Sequence, residues 1–518
     1  MTAAPGPLEL LILQPTPFCN INCSYCYLPN RQSTRRMSLE TVDRVFEWTF
    51  ASGLAREPFT LLWHAGEPLV MPVAFYEAAW QCFETHNRAG LPVGQSMQTN
   101  ATLIDESWCN YFRKHDVNLG VSVDGPAQLH DSRRRTRQGL GTHERVLAGM
   151  RLLREREIPF FVITVLTAEA LDCADQLFEF YLDQQVAQVC FNVEEIEGPN
   201  TSSSLEGMGT PDRFRRFFER FLDLAESVSP PLEVREYSTA LEALLGCRYG
   251  PGSRTQENKP WAIVNVDCDG NFSTYSPELL GLSSPRHGSF ALGNVFDDTL
   301  DGVIASPRFQ LLESDIAQGV EQCRSRCRYF AFCGGGAPAN KYFENGTFDS
   351  TETLFCRLHK QACLDVTLDR LERQQPTADR SFCLPESLQE SWWNLVADVQ
   401  PLGSGPEFTR FTTQIAAWLG LEGLAPPAGA VFELIVSAPG LPEIDFGEPP
   451  PWGAINLGDE TASVGSANLA PGEGVRLGQC SAIRGTTLDN KCPVLLLLIR
   501  RGQSVAEIDG RRAARDLC

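Results

Sequence analysis

The sequence predicts an α/β fold built on parallel strands, and three observations carry that expectation. Short apolar runs alternate with helical periodicities across residues 10–193, the pattern of strands joined by helical crossovers. Polar and reactive residues fall just after those runs, at the strand ends where such folds bind ligands. The first run, Leu10–Leu13, leads into a loop carrying Cys19, Cys23 and Cys26 in the spacing C-x3-C-x2-C.

The elements follow in order. Leu10–Leu13 reads as a buried strand. Ser38 is a good N-cap for a helix through Leu39, Val42, Val45, Phe46 and Phe50. Phe59–His64 is the second strand, and Pro72 opens the next helix. Gln95–Asn100 and Asn118–Asp124 are strands three and four. A helix over Thr142–Arg156 places Val146, Met150 and Leu153 on one face. Pro159–Leu166 is strand five, Leu171–Gln185 a helix and Gln188–Val193 strand six. Beyond a Ser/Gly-rich loop at Thr201–Thr210, a helix carries a stripe of Phe214, Phe217, Phe218, Phe221 and Leu222. It is assigned to packing between this unit and the next.

Length and composition set bounds. A chain of 518 residues with 43% apolar content divides into several domains with full cores. A formal net charge of −21 disfavours nucleic acid and anionic membrane. It suits a neutral or basic peptide partner, and equally plain solubility. The 18 cysteines cluster in metal-ligand spacings within a long chain, which fits a reducing cytoplasm better than a disulfide scaffold. The apolar run at Leu8–Leu13 contains Glu9 and lacks a basic leader, unlike a signal peptide. Val494–Ile499 is far below the ~20 residues of a membrane helix.

Three thiolates in one loop can hold three irons of a cubane cluster and leave the fourth iron open to a ligand. Tyr25, just before Cys26, suits a wall beside that site. Zinc wants a fourth ligand, and no His or Cys follows until His64. The loop LELLILQPTPFCNINCSYCYLP resembles the signature of radical S-adenosylmethionine (SAM) enzymes. In that family SAM chelates the open iron and is cleaved to a 5′-deoxyadenosyl radical. The resemblance implies a partial (β/α)6 TIM-like barrel, matching the six strands counted.

Further segments extend the resemblance. Ala65-Gly66-Glu67-Pro68 is similar to the family's GGEP motif, which holds the SAM ammonium, with Ala65 replacing its first glycine. That replacement is mild at a common backbone conformation and serious if φ is positive. His64, at the barrel mouth, reads as a packing histidine in preference to a catalytic one. Gln98-Thr99-Asn100 resembles the TNG segment, with Ala101 in place of glycine, which implies polar side chains able to face SAM or substrate. Ser122-Val123-Asp124-Gly125-Pro126, His130-Asp131 and Arg133-Arg134-Arg135 resemble the S-x-DGP…HD-x-x-R segment of the peptide-modifying branch. The match implies that Ser122 bonds the SAM ribose and Arg134 pairs with its carboxylate, for which a guanidinium fork is suited. At least one of the three arginines is a solvated turn residue.

A second set, Cys323, Cys327 and Cys333 spaced C-x3-C-x5-C, precedes Gly334-Gly335-Gly336, and Cys356 completes four thiolates. A zinc site is the alternative. The arrangement resembles the SPASM domain, a C-terminal extension of radical SAM peptide-modifying enzymes. SPASM domains often hold two auxiliary clusters. Here Ala337 and Ser276 stand where two ligands of the first are expected. Cys247 and Cys268 are too few to replace them. The cofactors expected are therefore two [4Fe-4S] clusters and SAM. In sulfatase-maturing relatives a base, aspartate, follows the strand-end cysteine; Pro277 occupies that position and weakens such a reading.

The strings LLILQPTPFCNINCSYCYLP, SVDGPAQLHDSRRRTRQGLGTH, FNVEEIEG and VDCDGNFSTYSPELLG resemble the cyclophane-forming radical SAM/SPASM peptide maturases of the GrrM/OscB type. This implies an oxidoreductase acting on a ribosomally made precursor peptide and joining an aromatic ring to a Cβ. It also implies an external one-electron donor of flavodoxin or ferredoxin type. The auxiliary cluster is the plausible electron acceptor. Asp124, Glu194 and Glu195 are weak candidates for the proton acceptor, since reach decides; Asn192 and Glu194 end strand six and either face the cavity or simply cap the strand. A thioether-forming or epimerising maturase is the alternative. A non-catalytic iron–sulfur protein is disfavoured by the SAM-pocket residues Glu67, Ser122 and Arg134.

The expected organisation is a radical SAM partial barrel over 1–215, a helical bridge over 216–246, a SPASM-like auxiliary-cluster domain over 247–378 and an accessory region over 387–518. The last carries a helix at Phe408–Leu419 and short apolar strands at Val431–Val436 and Val494–Ile499, with loops at Pro449-Pro450-Pro451. It would cap the molecule or bind a leader peptide at a sheet edge. Cys383, Cys480, Cys492 and Cys518 show no ligand spacing.

Overall fold

A computed structural model describes residues 5–246 and 254–374 continuously. Between 381 and 500 it describes 381–385, 387–390, 395, 406–421, 431–436, 444–445, 453–457, 462–464, 467–469, 473–476, 484–487 and 495–500. Cys247, 449–451, Cys480, Cys492 and Cys518 lie outside the described residues. The chain forms two compact units, Met1–Arg370 and Leu371–Cys518.

The first unit is organised on β1 (Leu10–Leu13), whose residues from Leu11 to Leu13 are buried. The strands β2 (Phe59–Trp63), β3 (Val93–Thr99), β4 (Asn118–Ser122), β5 (Phe160–Leu166) and β6 (Gln188–Val193) follow in spatial order. Each is parallel to its neighbour. Helical crossovers connect them: α1 (Leu39–Ala51), α2 (Val73–His86), α3 (Glu106–Lys114), α4 (Ala127–Arg133), α5 (His143–Glu155) and α6 (Ala174–Asp183). Ser38 Oγ accepts from the Thr41 amide at 3.0 Å, as an N-cap should. The six strands and the crossover pattern match the expected partial (β/α)6 barrel. A short β7 (Glu233–Val234) continues the sheet beyond β6, and α8 (Arg235–Gly246) follows it directly.

On the other side of β1 the sheet grows in a way the local sequence does not announce. β8 (Ile263–Val266) pairs parallel with β1, from Leu10 opposite Ile263 to Leu13 opposite Val266. β9 (Asn271–Thr274) turns back antiparallel, and Gly293–Asn294 adds an edge. The second cysteine segment is thereby joined to the sheet that carries the first. Backbone pairing with β2 on one side and β8 on the other holds β1 at the centre.

The aromatic helix α7 (Thr210–Glu226) buries Phe214, Phe217, Phe218, Phe221 and Leu222. Phe217 and Phe221 meet Phe191 of β6 edge-on, at 5.5 and 4.8 Å between ring centroids. Its polar side is tied to later chain by Arg215–Asp365 (2.6 Å) and by Arg370 with Asp223 (2.5 Å) and Glu226 (2.6 Å).

The second unit is β-rich. Strands at Ser381–Cys383, Glu473–Arg476, Gly453–Asn456, Leu495–Arg500 and Val431–Val436 form one sheet. Ile444–Asp445, Arg484–Thr487, Ala462–Val464 and Ala467–Leu469 form another. Helix Pro406–Leu421 contributes Phe411, Ile415 and Leu419 to a core shared with Ile455, Leu497 and Ile499. No helix among the described residues is long and apolar enough to cross a membrane.

Candidate active site

The loop after β1 is held by its backbone. Arg137 Nε donates to the Cys19 carbonyl (3.0 Å) and Arg31 Nη1 to that of Cys23 (2.8 Å). The Asn22 and Ser24 amides donate to the Arg135 and Arg133 carbonyls at 2.7 and 3.0 Å. Cys19, Cys23 and Cys26 are thus presented to a pocket of about 370 Å³ without needing one another for support. That pocket is also lined by Tyr25, Ala65, Gly66, Glu67, Thr99, Asn100, Ser122 and Arg134, all expected from sequence; Pro68 follows buried in a 3₁₀ turn. Burial pushes the Cys19 thiol up to about 12 and that of Cys23 to about 11. A bound cation reverses that preference, because a ligating thiol is deprotonated.

Gly66 shows why this strand end is glycine-rich. Its φ is +61°, and a Cβ there would lie 2.4 Å from the Thr16 carbonyl oxygen. The Glu67 carboxylate joins β2 to β3: Oε1 accepts from the Leu69 amide (3.0 Å) and Thr99 Oγ1 (2.7 Å), and Oε2 from the Asn100 amide (2.8 Å). Burial raises its pKa to about 7 against those three donors. Asn100 Nδ2 in turn donates toward Cys19 Sγ at 3.7 Å.

Ala65 has φ +71° and Ala101 φ +57°, both left-handed conformations that suit the glycines they replace. Such a residue costs about 1–2 kcal/mol, offset in a glycine variant by about 0.4–1 kcal/mol of unfolded-state entropy. Ala65→Gly is therefore expected to stabilise the protein by roughly 0.5–1 kcal/mol in chemical denaturation. Ala101→Gly should gain less, because it removes a fully buried methyl.

Asp124 and Arg134 form a buried bidentate pair, Nε–Oδ2 at 2.9 Å and Nη2–Oδ1 at 3.0 Å. Oδ1 also accepts from the Val165 amide (3.0 Å), and Oδ2 from the Tyr25 hydroxyl. The guanidinium stands 5.5 Å from the centre of the Tyr25 ring. Burial alone would raise the Asp124 pKa. The Arg134 charge and the hydrogen bonds outweigh it and hold the carboxyl below its usual range. Both oxygens of Asp124 are occupied by the residues that shape the pocket. Arg133 lies 3.9 Å from Glu194, and exposed Arg135 bonds the Asp131 carbonyl.

Glu194 turns away from the pocket and accepts from the Ser204 amide (2.7 Å) and hydroxyl. Glu195, by contrast, lines both the three-cysteine pocket and an adjoining cavity of about 480 Å³. There it meets two carboxylates that the sequence did not single out, Glu197 and Glu278. Asn340 Nδ2 donates to Glu195 (2.6 Å) and Glu197 (3.0 Å). Burial raises the proton affinity of all three; repulsion adds to it, from Glu278 and Glu257 on Glu195, from Glu195 and Glu278 on Glu197, and from Glu257 on Glu278. Tyr27 and His64 close another wall, hydrogen-bonded at 2.8 Å, with burial lowering the His64 pKa to about 4. Asn192 and Pro277 line the pocket as well. The sequence signals for these two were the strings that contain them, the acidic FNVEEIEG for Glu197 and VDCDGNFSTYSPELLG for Glu278, neither of which singles out the residue.

The adjoining cavity contains both Ser276 and Ala337 and reaches Cys333. Cys323, Cys327, Cys333 and Cys356 surround a further pocket of about 440 Å³. Cys323 lies near the end of α10 (Pro307–Arg326), after the short α9 (Leu300–Ile304), and Cys327 caps α10. Cys333 ends α11 (Phe330–Cys333), and Cys356 opens a π-helix, Cys356–Ala362. Gly334, Gly335 and Gly336 have φ of +63°, +103° and +69°. Asn258 Nδ2 donates to the Gly334 (2.9 Å) and Gly336 (3.1 Å) carbonyls, locking that reversal. Among the described residues, no three His, Cys, Asp or Glu side chains gather closely enough to bind a single ion. The four thiols instead surround a cavity, a donor set suited to a cubane iron–sulfur cluster. Cys268 lies elsewhere, in a cleft with Arg31, Arg35, Asp267 and Asp269.

Comparison with known proteins bears on this geometry. The sequence profile of the Radical SAM superfamily matches residues 13–181. The chain is 43% identical over 373 residues to the uncharacterized protein sll1766 of Synechocystis sp., covering 71% of this chain and 93% of that protein. It is 25% identical over 342 residues to the cysteine-type anaerobic sulfatase-maturating enzyme of Clostridium perfringens, covering 64% and 88% of the two chains. The fold is similar to that of native anSMEcpe with bound AdoMet and Cp18Cys peptide, with a TM-score of 0.58 at 20% identity, over 71% of this chain and 98% of that one.

Proposed function

Because the chain belongs to the radical SAM superfamily, we propose that it matures a ribosomally made precursor peptide by joining an aromatic ring to a nearby side-chain Cβ, closing a cyclophane. The observation that carries this reading is the cavity system: three thiols at one end, four at the other and a carboxylate-lined chamber between them. Cys19, Cys23 and Cys26 would hold one [4Fe-4S] cluster, and Cys323, Cys327, Cys333 and Cys356 a second. When bound, SAM and the first cluster supply a 5′-deoxyadenosyl radical, and the second supplies one-electron acceptance.

The chain's own residues orient and exchange protons. Asp124 takes Nε and Nη2 of Arg134, so Nη1 is the guanidinium edge left for the SAM carboxylate. Ser122 would meet the ribose, and the Gly66–Glu67 turn the ammonium. The new carbon–carbon bond replaces one Cβ–H and one ring C–H. Glu195 would take the ring proton on its carboxylate; in support, it lines both cavities, as Glu197 and Glu278 also do, while Asp124 and Glu194 are engaged elsewhere. Pro277 lines the pocket where sulfatase-maturing relatives would carry an aspartate, which favours a peptide crosslink over oxidation of a sulfatase residue.

The test is co-expression with a candidate precursor peptide that carries aromatic residues, followed by tandem mass spectrometry and NMR of the product. A ring-carbon to Cβ bond supports the reading; a thioether or an inverted α-carbon overturns it. Glu195→Gln is expected to lower crosslinked product by about 10²–10³-fold, within the range for a lost general base, with SAM cleavage retained. Since the carboxyl must be ionised to accept a proton, crosslinking should rise with pH through its elevated pKa.

A further inference from the structure

Among the described residues, Lys341 is a buried cation without an acidic partner. It lies on α12 (Pro338–Asn345) and is 3% exposed. Its ammonium donates to the Gly319 carbonyl (2.9 Å) and to Cys323 Sγ (3.4 Å). Among the described residues no carboxylate pairs with it. Lysine is almost never fully buried unless paired, because an unpaired ammonium loses its hydration for nothing in return.

The packing that delivers Lys341 is tight. Gly319 sits on α10 one turn before Cys323, and a Cβ there would lie 2.1 Å from the Phe348 carbonyl oxygen. The other cations on this pocket are different in kind: Arg326 and Arg328 are exposed, and Lys360 is half-buried against Phe355. Lys341 alone combines burial with a hydrogen bond to a thiol expected to ligate iron.

On the reading that the four cysteines hold a [4Fe-4S] cluster, we propose that Lys341 raises the reduction potential of that site, setting it to accept an electron rather than to donate one. The physical reason is charge. Four thiolates on a cubane leave a net negative group, and one added electron makes it more negative. A buried ammonium touching one ligand sulfur stabilises the reduced form more than the oxidised one, and an N–H···S bond acts in the same direction. Burial of the Lys341 side chain keeps water from screening the effect. The cluster charge in turn gives Lys341 the counter-charge its surroundings lack. The electron accepted is the one released when the crosslinked ring loses its proton, so electron and proton both leave the peptide and each has an acceptor.

The experiment uses the full chain with Cys19, Cys23 and Cys26 changed to alanine, so that only the auxiliary site can carry iron. Iron and sulfide are measured, and the potential is read by EPR-monitored redox titration. Lys341→Met, which keeps length and burial without charge, should lower the equilibrium constant for reduction about tenfold, or ~59 mV for a one-electron couple. Lys341→Gln, which can keep an N–H donor but not the charge, should fall between that variant and its parent. An unchanged potential with full iron in both variants would overturn the proposal. Loss of iron in both would also overturn it, since Lys341 would then build the site rather than tune it. A parent without iron would overturn the cluster assignment together with it, and that outcome is read before any Lys341 variant is made.

Discussion

Changing Cys19, Cys23 and Cys26 together to alanine should reduce reconstituted iron from about eight to about four per chain and abolish SAM cleavage. The variant is expected to fold, because the loop is fastened by Arg31, Arg137 and the amides of Asn22 and Ser24, none of which uses a thiol. The remaining iron should belong to the site of Cys323, Cys327, Cys333 and Cys356, which lies in a separate pocket. Iron and sulfide analysis after anaerobic reconstitution, with deoxyadenosine detection, checks both parts. About twelve irons in the parent would mean a third cluster and would contradict the meaning given to Ser276 and Ala337. Full clusters without cleavage in the parent would remove the catalytic reading altogether.

Asp124→Asn is the second large effect. It preserves shape and leaves an acceptor for Tyr25, but it strands the Arg134 guanidinium in a site where both partners are more than nine-tenths buried. Breaking one side of a buried ion pair costs about 3–5 kcal/mol, so the denaturation midpoint should fall accordingly. SAM binding should weaken with it, because the fork that orients Arg134 is gone. The dependence on pH follows from the depressed carboxyl. Its stabilising contribution is fully present above the unfolded pKa of about 3.9 and is lost as pH falls through the lower folded value. The gap between wild type and variant should therefore be constant through neutral pH and close only in strong acid. Were Asp124 instead the proton acceptor, the asparagine variant would keep its stability and lose only crosslinking.

Much of the site was legible in the sequence because its chemistry is local. A three-cysteine loop needs its thiols within a few residues, and a strand end that must pass under the Thr16 and Phe18 carbonyls needs Gly66. Periodicity alone placed β1 to β6, since a buried parallel strand is a short apolar run and its crossover an amphipathic helix. Even the risk at Ala65 could be posed in advance, as a question about the sign of φ.

What only the tertiary structure decided are relations between distant segments. Pairing of β8 with β1 is hydrogen bonding between backbones about 250 residues apart, which no side-chain pattern specifies. The three candidate carboxylates looked alike in the sequence. They differ because Asp124 meets Arg134, Glu194 meets Ser204, and Glu195 is left facing two cavities with Glu197 and Glu278. Lys341 was one of five lysines, with nothing in its local sequence to set it apart, until burial removed its water and set it against Cys323. Residue type determines what a group can do; its surroundings determine its charge state, its partners and its reach, and those surroundings exist only in the folded chain.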